Sequence, residues 1–565
     1  MKKIVIILLS IFCISHGLKA QEAPEHHPTR VIISFEAESE IYNSFWERLG
    51  EKGKMMAGEN LGVPEVSEFM EKTGLMSLNK LVEVKDFTRK KAATLDRSSS
   101  KHQAFVGEVA NPDNLMDIIQ ILNNSAGIEF AEPDYVARGG GQLVSEFEMI
   151  SESMLLKPND PFYQFQWGLE NTGQTINGFT GTANEDINPD GAWDMTQGSA
   201  DITVAVLDTG LPDNVPDMNS RVVEGFNYVS GNEATADDHG HGTSVASIAL
   251  STGNNGAMIS GVDWEAQIMP IKVLDENNSG LNSYSVNGIY YAVDNGAKVL
   301  NISVGSTGDN QIYRDAVKYA ADAGVIIVAC MMNENTNTPN YPAAYESVFA
   351  IGATNENGER AVPFTGGGEG SNHGDHIDLV APGNLIASLK HDDNSSVSLW
   401  SGTSQATPLV TGTVSLMLSV NPDLTAEQVR QILIETARGE GEWDQFLGWG
   451  KLDATAAVKK AEETPTNIEE ENNTETVTTF KLGQNYPNPF NPSTNIGFQL
   501  PEASEVTLKV YDMLGREVAA LLTNTQMSKG AHTVIFDASE LPSGIYLYQL
   551  EAGELSQTRK MSLIK

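Results

Sequence analysis

Cysteine is almost missing from this chain. Only Cys13 and Cys330 occur in 565 residues, and Cys13 lies in an N-terminal stretch that reads as removable. One remaining cysteine forms no internal disulfide, so an exported chain of this kind depends on core packing, bound ions or both. Positive charge is also scarce: 36 Lys and Arg stand against 75 Asp and Glu, a formal net charge of −39. Phosphate backbones are held by Lys and Arg, so this balance argues against nucleic acid as a partner. Beyond the N-terminus no apolar run is long enough to span a bilayer. What is present suffices for a large core, since 40% of residues are hydrophobic. The length allows roughly three or four domain-sized units.

Lys2 and Lys3 precede the apolar run Ile4 to Ile14, and a polar stretch ends at Ala20. That layout reads as a secretory signal peptide over residues 1–20. Phe12, before Cys13, is too large for a lipoprotein cleavage box. Residues 21–156 read as a small α+β unit and connector, with strands at 29–36 and 104–110 and a helix at 112–123. The unit closes on GIEFAEPDYVAR (127–138), followed by a flexible GGGQ (139–142). From 157 to 461 the apolar strands ITVAVLD, IMPIKVLD, VLNISVG, GVIIVACMM and SVFAIGAT alternate with helical stretches at 282–297 and 311–323. This predicts an α/β fold, a mostly parallel sheet with helices on both faces. Residues 462–479 are acidic, Thr-rich and nearly free of apolar residues, a linker. Residues 480–565 turn to short alternating strands, with Val506, Leu508 and Val510 on one face, and read as a small all-β sandwich.

Three polar clusters stand at strand and helix ends. VAVLDTG places Asp208 at the carboxyl end of a buried strand. DDHGHGTSVASIAL places His241 at a helix start, and SGTSQATPLVTG places Ser404 at another, with Pro408 expected in its first turn. Singly, these read as a turn residue, a surface loop and a helix N-cap. Together they offer a weak nucleophile, a base suited to neutral pH and a carboxylate to fix the base's tautomer. Asp…His…Ser is a known chain order for such a triad. A fourth position, Asn333, ends the buried run VIIVACMMNEN, where sheets of this kind place their ligands. D-T-G also marks aspartic proteases, but those carry two copies on all-β folds, or are symmetric dimers. The H-E-x-x-H of zinc hydrolases is absent. His373 and His376 could join His239 at a metal, though their spacing does not demand it. Cys330 reads as a small core hydrophobe.

At these blocks the chain resembles the subtilisin-like serine proteases. VAVLDTG, GHGTSVAS and SGTSQATP match that family's three signatures, and the resemblance runs from PNDPFYQFQWGLENTGQ (158–174) to GWGKLDATAAV (448–458). It implies Asp208 as orienting acid, His241 as base and Ser404 as nucleophile. The oxyanion donors it implies are the side-chain amide of Asn333 and the backbone N–H of Ser404. Ser303, Val304 and Gly305 fall where the family's edge strand pairs with substrate backbone, which favours broad specificity. The leading α+β unit resembles the family's inhibitory propeptide, expected to be cut between Gly139 and Asp160. The tail, with QNYPNPFNPSTNIGFQLP, VYDMLGREV and SGIYLYQL, resembles the type IX secretion sorting domain; an Ig-like adhesion module is the alternative.

Two departures from the family stand out. Met331 and Met332 occupy places usually held by small residues and a pocket-lining glycine, so Met332 is expected to shorten the specificity pocket and favour small side chains. Gln405 replaces the usual Met after the nucleophile and is expected to face solvent or bond locally. Asp217 and Asn255 match positions that supply oxygen to a calcium ion in the family. The resemblance therefore implies a secreted or cell-surface serine endopeptidase made as an autoprocessed zymogen. Calcium would be structural and no cofactor catalytic. Its partners would be protein or peptide substrates, its own propeptide and the type IX machinery, and it would act as a monomer. A catalytically silent peptide-binding scaffold and a maturation factor with one dedicated substrate are the competing readings.

Overall fold

Runs of β-branched residues without polar alternation build the centre of the chain. The protein is represented by a computed structural model that describes residues 24–36, 39, 54–56, 64–81, 104–148, 157–215, 217–439, 441–465, 480–483, 485 and 493–563 except 514, 540 and 554. The stretch read as a signal peptide (1–20) and residues 466–479 of the expected linker lie outside the described residues.

Seven strands form one sheet in the order Phe226–Asn227, Gln267–Lys272, Thr203–Asp208, Val299–Ile302, Ile326–Cys330, Val348–Thr354 and Leu379–Pro382. Every pairing in it is parallel. Alternate residues of one strand feed two cores. Val204 and Val206 join the helices His241–Leu250, Thr403–Val420 and Ala454–Glu463, while Ala205 and Leu207 join Asn282–Asp294 and Gln311–Asp322. Each fully buried aliphatic side chain contributes roughly 1.5–3 kcal/mol. The sheet is thus covered on both faces, as its unbroken apolar strands require.

Several boundaries differ from the sequence reading. The helices stop at Asp294 and Asp322 because Gly296 and Gly324 turn the chain at φ +85° and +75°. VLNISVG divides: Val299–Ile302 stays in the sheet, whereas Val304–Gly305 leaves it and pairs with Ile128–Gly139. Ala454–Glu463 runs past the expected boundary at 461, its start capped by Asp453, which accepts from the Ala456 N–H at 2.9 Å. Pro408 is the sixth residue of its helix rather than part of the first turn. Its missing N–H frees the Ser404 carbonyl, and the Ser303 hydroxyl donates to that oxygen at 3.1 Å.

The leading unit is an antiparallel sheet in which His26–Phe35 lies between Ala104–Val109 and Ile128–Gly139. A 3-10 turn at Pro112–Asn114 precedes the helix Leu115–Asn123, whose Leu115 and Leu122 pack on Val31, Ile33 and Phe105. Two of its carboxylates reach helices of the parallel-sheet region. Glu132 accepts from the N–H groups of Gln311 and Ile312 at 3.0 and 3.2 Å, and Asp134 from the N–H and hydroxyl of Ser283 at 3.1 and 2.7 Å. Both sit at helix N-termini, where unpaired N–H groups favour negative charge.

Thr466–Lys565 is a separate unit. Within it, sheets of three and four antiparallel strands share a core that includes Leu482, Phe498, Val506, Leu508, Val510 and Tyr548. Among the described residues no helix is long and apolar enough to cross a membrane.

The edge of the parallel sheet generates a test. Arg430 lies 4.4 Å over the Phe349 ring, donates to the Val348 carbonyl at 2.9 Å and pairs with Asp378. Arg430→Leu strands the largely enclosed Asp378 carboxylate, 13% exposed. A loss of about 3–5 kcal/mol is expected, read as a lower thermal unfolding midpoint.

Candidate active site

The strand order reverses about Thr203–Asp208 and Val299–Ile302, and the polar clusters gather at the carboxyl ends of these strands. Asp208 is fully buried at its strand end. One carboxylate oxygen meets His241 Nδ1 at 2.7 Å and also accepts the Thr209 N–H at 2.8 Å. The approach to the His241 helix is built around Asp237, which accepts from the N–H groups of His239, Gly240 and Thr243 at 2.8–3.0 Å. Hydroxyls of Thr209 and Thr243 add bonds at 2.8 and 2.6 Å. Burial works against charge on Asp237, yet these donors hold its carboxyl below the usual range. Trp400 stands edge-on to the His241 ring at 5.7 Å.

Ser404 lies in the first turn of Thr403–Val420, so the N-cap is Gly402, not Ser404. The Ser404 hydroxyl donates to the Ser303 carbonyl at 3.0 Å, and His241 Nε2 has no hydrogen-bond partner among the described residues. Asp208 and His241 are therefore bonded, while Ser404 and His241 are neighbours without a bond. Asn333 is oriented from behind. Its amide oxygen accepts from the Thr403 N–H at 2.9 Å and hydroxyl at 3.1 Å, which turns its NH2 outward.

That NH2 donates to the carbonyl of Gly140. The GGGQ segment, expected to be flexible, instead runs through the site. Upstream of it, Ala137 and Arg138 pair with Gly280 and Ser279, and Arg138 and Gly139 with Gly305 and Val304, all antiparallel. The Gly140 N–H donates to the Ser303 carbonyl at 3.2 Å. Downstream, Gln142–Glu148 is a strand antiparallel to Ser396–Ser401. The reason is backbone chemistry: strand edges on both sides of the site offer unpaired N–H and C=O groups. A Cβ placed on Gly140 would lie 2.9 Å from Ser404 Oγ, and one on Gly141 would lie 2.7 Å from His241 Nε2. The Gly140–Gly141 peptide bond thus sits between Asn333, Ser404 and His241.

Other expectations resolve as follows. Gln405 does not face solvent. It is fully buried, with Nε2 3.5 Å from Ser244 Oγ and Oε1 without a partner among the described residues. Met332 has left-handed backbone, φ +70°, and is buried at 6% exposure. Cys330 is buried, its thiol pushed up to about 12 by burial, and it also borders the site through a 3.6 Å contact with Met332 Sδ. Asp217 and Asn255 meet, Asn255 Nδ2 donating to Asp217 Oδ1 at 3.3 Å. Asp217 Oδ2 accepts the Ile259 N–H at 3.2 Å and Asn255 Oδ1 the Ala257 N–H at 2.7 Å. In this arrangement Asn255 turns its NH2, and not its oxygen, toward the Asp217 carboxylate. Among the described residues no three His, Cys, Asp or Glu side chains gather as a metal cluster. His376, pushed down to about 4 by burial, reads as a neutral core histidine.

Sequence reasoning missed the supports behind these groups. Asn301 Nδ2 holds the Ser303 hydroxyl at 3.0 Å, and Thr411 holds Asn301 at 2.8 Å. Asn372 accepts from the Glu334 N–H at 2.8 Å just beyond Asn333. Asn301 within a buried apolar strand was the one available signal.

The subtilase family profile matches residues 199–450, and that of the secretion system C-terminal sorting domain matches 484–565. A thermophilic serine proteinase of Bacillus sp. (strain AK1) is 32% identical over 64% of this chain and 79% of its own length. Thermitase of Thermoactinomyces vulgaris is 33% identical over 54% of this chain and 99% of its own. The chain therefore belongs to the subtilase family of serine-type endopeptidases and carries a secretion-system sorting domain at its C-terminal end.

Proposed function

We propose that Asp208, His241 and Ser404 form the catalytic triad, that Asn333 is an oxyanion donor, and that the chain is a zymogen which cuts its own Gly140–Gly141 bond. The observation that carries this reading is the Gly140 carbonyl held by Asn333 with Ser404 and His241 beside the same peptide bond. Asp208 fixes the His241 tautomer in which Nδ1 donates and Nε2 accepts. Ser404 Oγ turns from the Ser303 carbonyl to Nε2, loses its proton there and attacks the Gly140 carbonyl carbon. The oxyanion forms against Asn333. His241 then protonates the nitrogen of Gly141, the C–N bond breaks, and water releases the acyl group by the same steps in reverse.

In this reading residues 21–140 are the propeptide, inhibitory while the strand pairing persists and anchored by Glu132 and Asp134. The cut falls inside the expected window, ahead of the boundary at 157. Residues 157–461 are the peptidase domain, 462–479 the linker and 480–565 the sorting unit, which directs a signal-peptide-bearing precursor through the type IX machinery to the cell surface or medium. Met332 restricts the pocket to small side chains. The enzyme works as a monomer on protein or peptide substrates.

Ser404→Ala is expected to leave the chain uncut and unreactive toward a fluorophosphonate. Terminal sequencing of the wild-type product should begin at Gly141, and a start elsewhere contradicts the assignment. Asn333→Ala should lower kcat by about 10²–10³-fold with KM little changed. The Asp217 loop gives a pH prediction. Burial raises Asp217 from 3.8 to about 6, so folding takes up a proton between those values. Its contribution to stability is full below 3.8 and is lost as pH rises through about 6. Asp217→Asn should flatten that part of the melting-temperature profile.

A further inference from the structure

We propose that this site is selective for glycine on both sides of the cleaved bond, with Met332 and Cys330 enforcing it before the bond and Gln405 after it. The natural substrates are then glycine-rich polypeptides with adjacent glycines. This rests on the catalytic reading given above.

A glycine in a fixed position answers either to backbone conformation or to space. Conformation is not the reason here, because none of Gly139, Gly140 and Gly141 has positive φ. Space is. A Cβ on Gly140 would lie 2.9 Å from Ser404 Oγ, 3.0 Å from Met332 Sδ and 3.4 Å from Cys330 Sγ. A Cβ on Gly141 would lie 2.6 and 2.7 Å from the Gln405 amide oxygen and nitrogen, and 2.7 Å from His241 Nε2. At Gly141 all three contacts are below 3.0 Å and demand that something move; at Gly140 the Met332 sulfur must give by a few tenths of an ångström, with Cys330 in ordinary contact behind it.

The neighbours have little room to do so. Met332 is wedged between Cys330 Sγ, 3.6 Å from its sulfur, and the strand at Gly305, where an added Cβ would meet Met332 Cγ and Sδ at 3.0 and 3.1 Å. Its left-handed backbone costs about 1–2 kcal/mol relative to glycine, so a residue that fills the pocket is kept there against local strain. Gln405 is fully buried beside Ser244, and its Oε1, without a partner among the described residues, lies against the position of Gly141. Gly139 differs. The three atoms nearest a Cβ there all belong to the end of the half-buried Asn278 side chain, which would have to give up its 3.3 Å bond to the Gly139 carbonyl to move aside, and none belongs to the groups around the cleaved bond. Selectivity is therefore assigned to the two positions that flank the bond. Upstream residues are read through backbone pairing alone.

The test uses processed enzyme obtained by expressing the full chain. Quenched-fluorescence peptides with the sequence Ala-Arg-Gly-Gly-Gly-Gln-Leu are compared with versions carrying Ala or Phe at the second or third glycine. One added methyl group at either position should lower kcat/KM by roughly 10–200-fold, and Phe should abolish cleavage. Met332→Gly should restore Ala and Phe before the bond only, and Gln405→Ala should restore Ala after it only. A merely structural role would lower all rates alike and overturn the assignment. Equal cleavage of Gly, Ala and Phe peptides by wild-type enzyme that reacts with a fluorophosphonate overturns the glycine inference and leaves the triad standing. Absence of both labelling and cleavage overturns both.

Discussion

One hydrogen bond organises the site: the amide of Asn333 on the carbonyl of Gly140. Its direction is set from behind by Thr403, which donates twice to the Asn333 amide oxygen. Thr403 opens the helix that carries Ser404, so the Asn333 amide is oriented by the same helix start that positions the Ser404 hydroxyl. Once the Gly140 carbonyl is held there, the backbone upstream must lie along Ser303–Gly305 and the backbone downstream along Ser396–Ser401. The leading unit, which ends in that segment, is in turn fixed to helix N-termini through Glu132 and Asp134.

Proline at position 408 belongs to the same device. An ordinary residue there would donate to the Ser404 carbonyl within the helix. Proline leaves that oxygen to the Ser303 hydroxyl, while the Ser303 carbonyl receives the Ser404 hydroxyl and the Gly140 N–H. Ser303 therefore couples the strand Val304–Gly305 to the start of the helix that carries Ser404. The coupling needs no charge, only a hydroxyl and a missing N–H.

Much of the fold was legible because its signals are local. Unbroken runs such as VIIVAC mark strands buried on both faces, and the three polar clusters stand where the sheet order reverses. Asp208, His241, Ser404 and Asn333 were reachable from motif and position. Gly140 and Gly141 were not. A glycine run reads as flexible when the partner strands are distant in sequence, and here they lie at Ser279–Leu281, Val304–Gly305 and Ser396–Ser401. Of the two environments expected for Gln405, solvent is excluded and the bond to Ser244 is found: a polar residue on an apolar helix looks exposed until the opposing chain is known to pass over it. Met332 was expected to be an obstruction from sequence, but its 3.6 Å contact with Cys330 needs three dimensions.

A chain that holds its own Gly140–Gly141 bond in the position of a substrate keeps its groove filled until that bond is cut. The most direct measurement is a crystal structure of the full-length Ser404→Ala protein, in which cleavage cannot clear the groove. Density running continuously through Gly139 to Gln142, with the Gly140 carbonyl on the Asn333 amide, is the predicted result. A groove empty of this segment, or filled with another stretch of the chain, would contradict it.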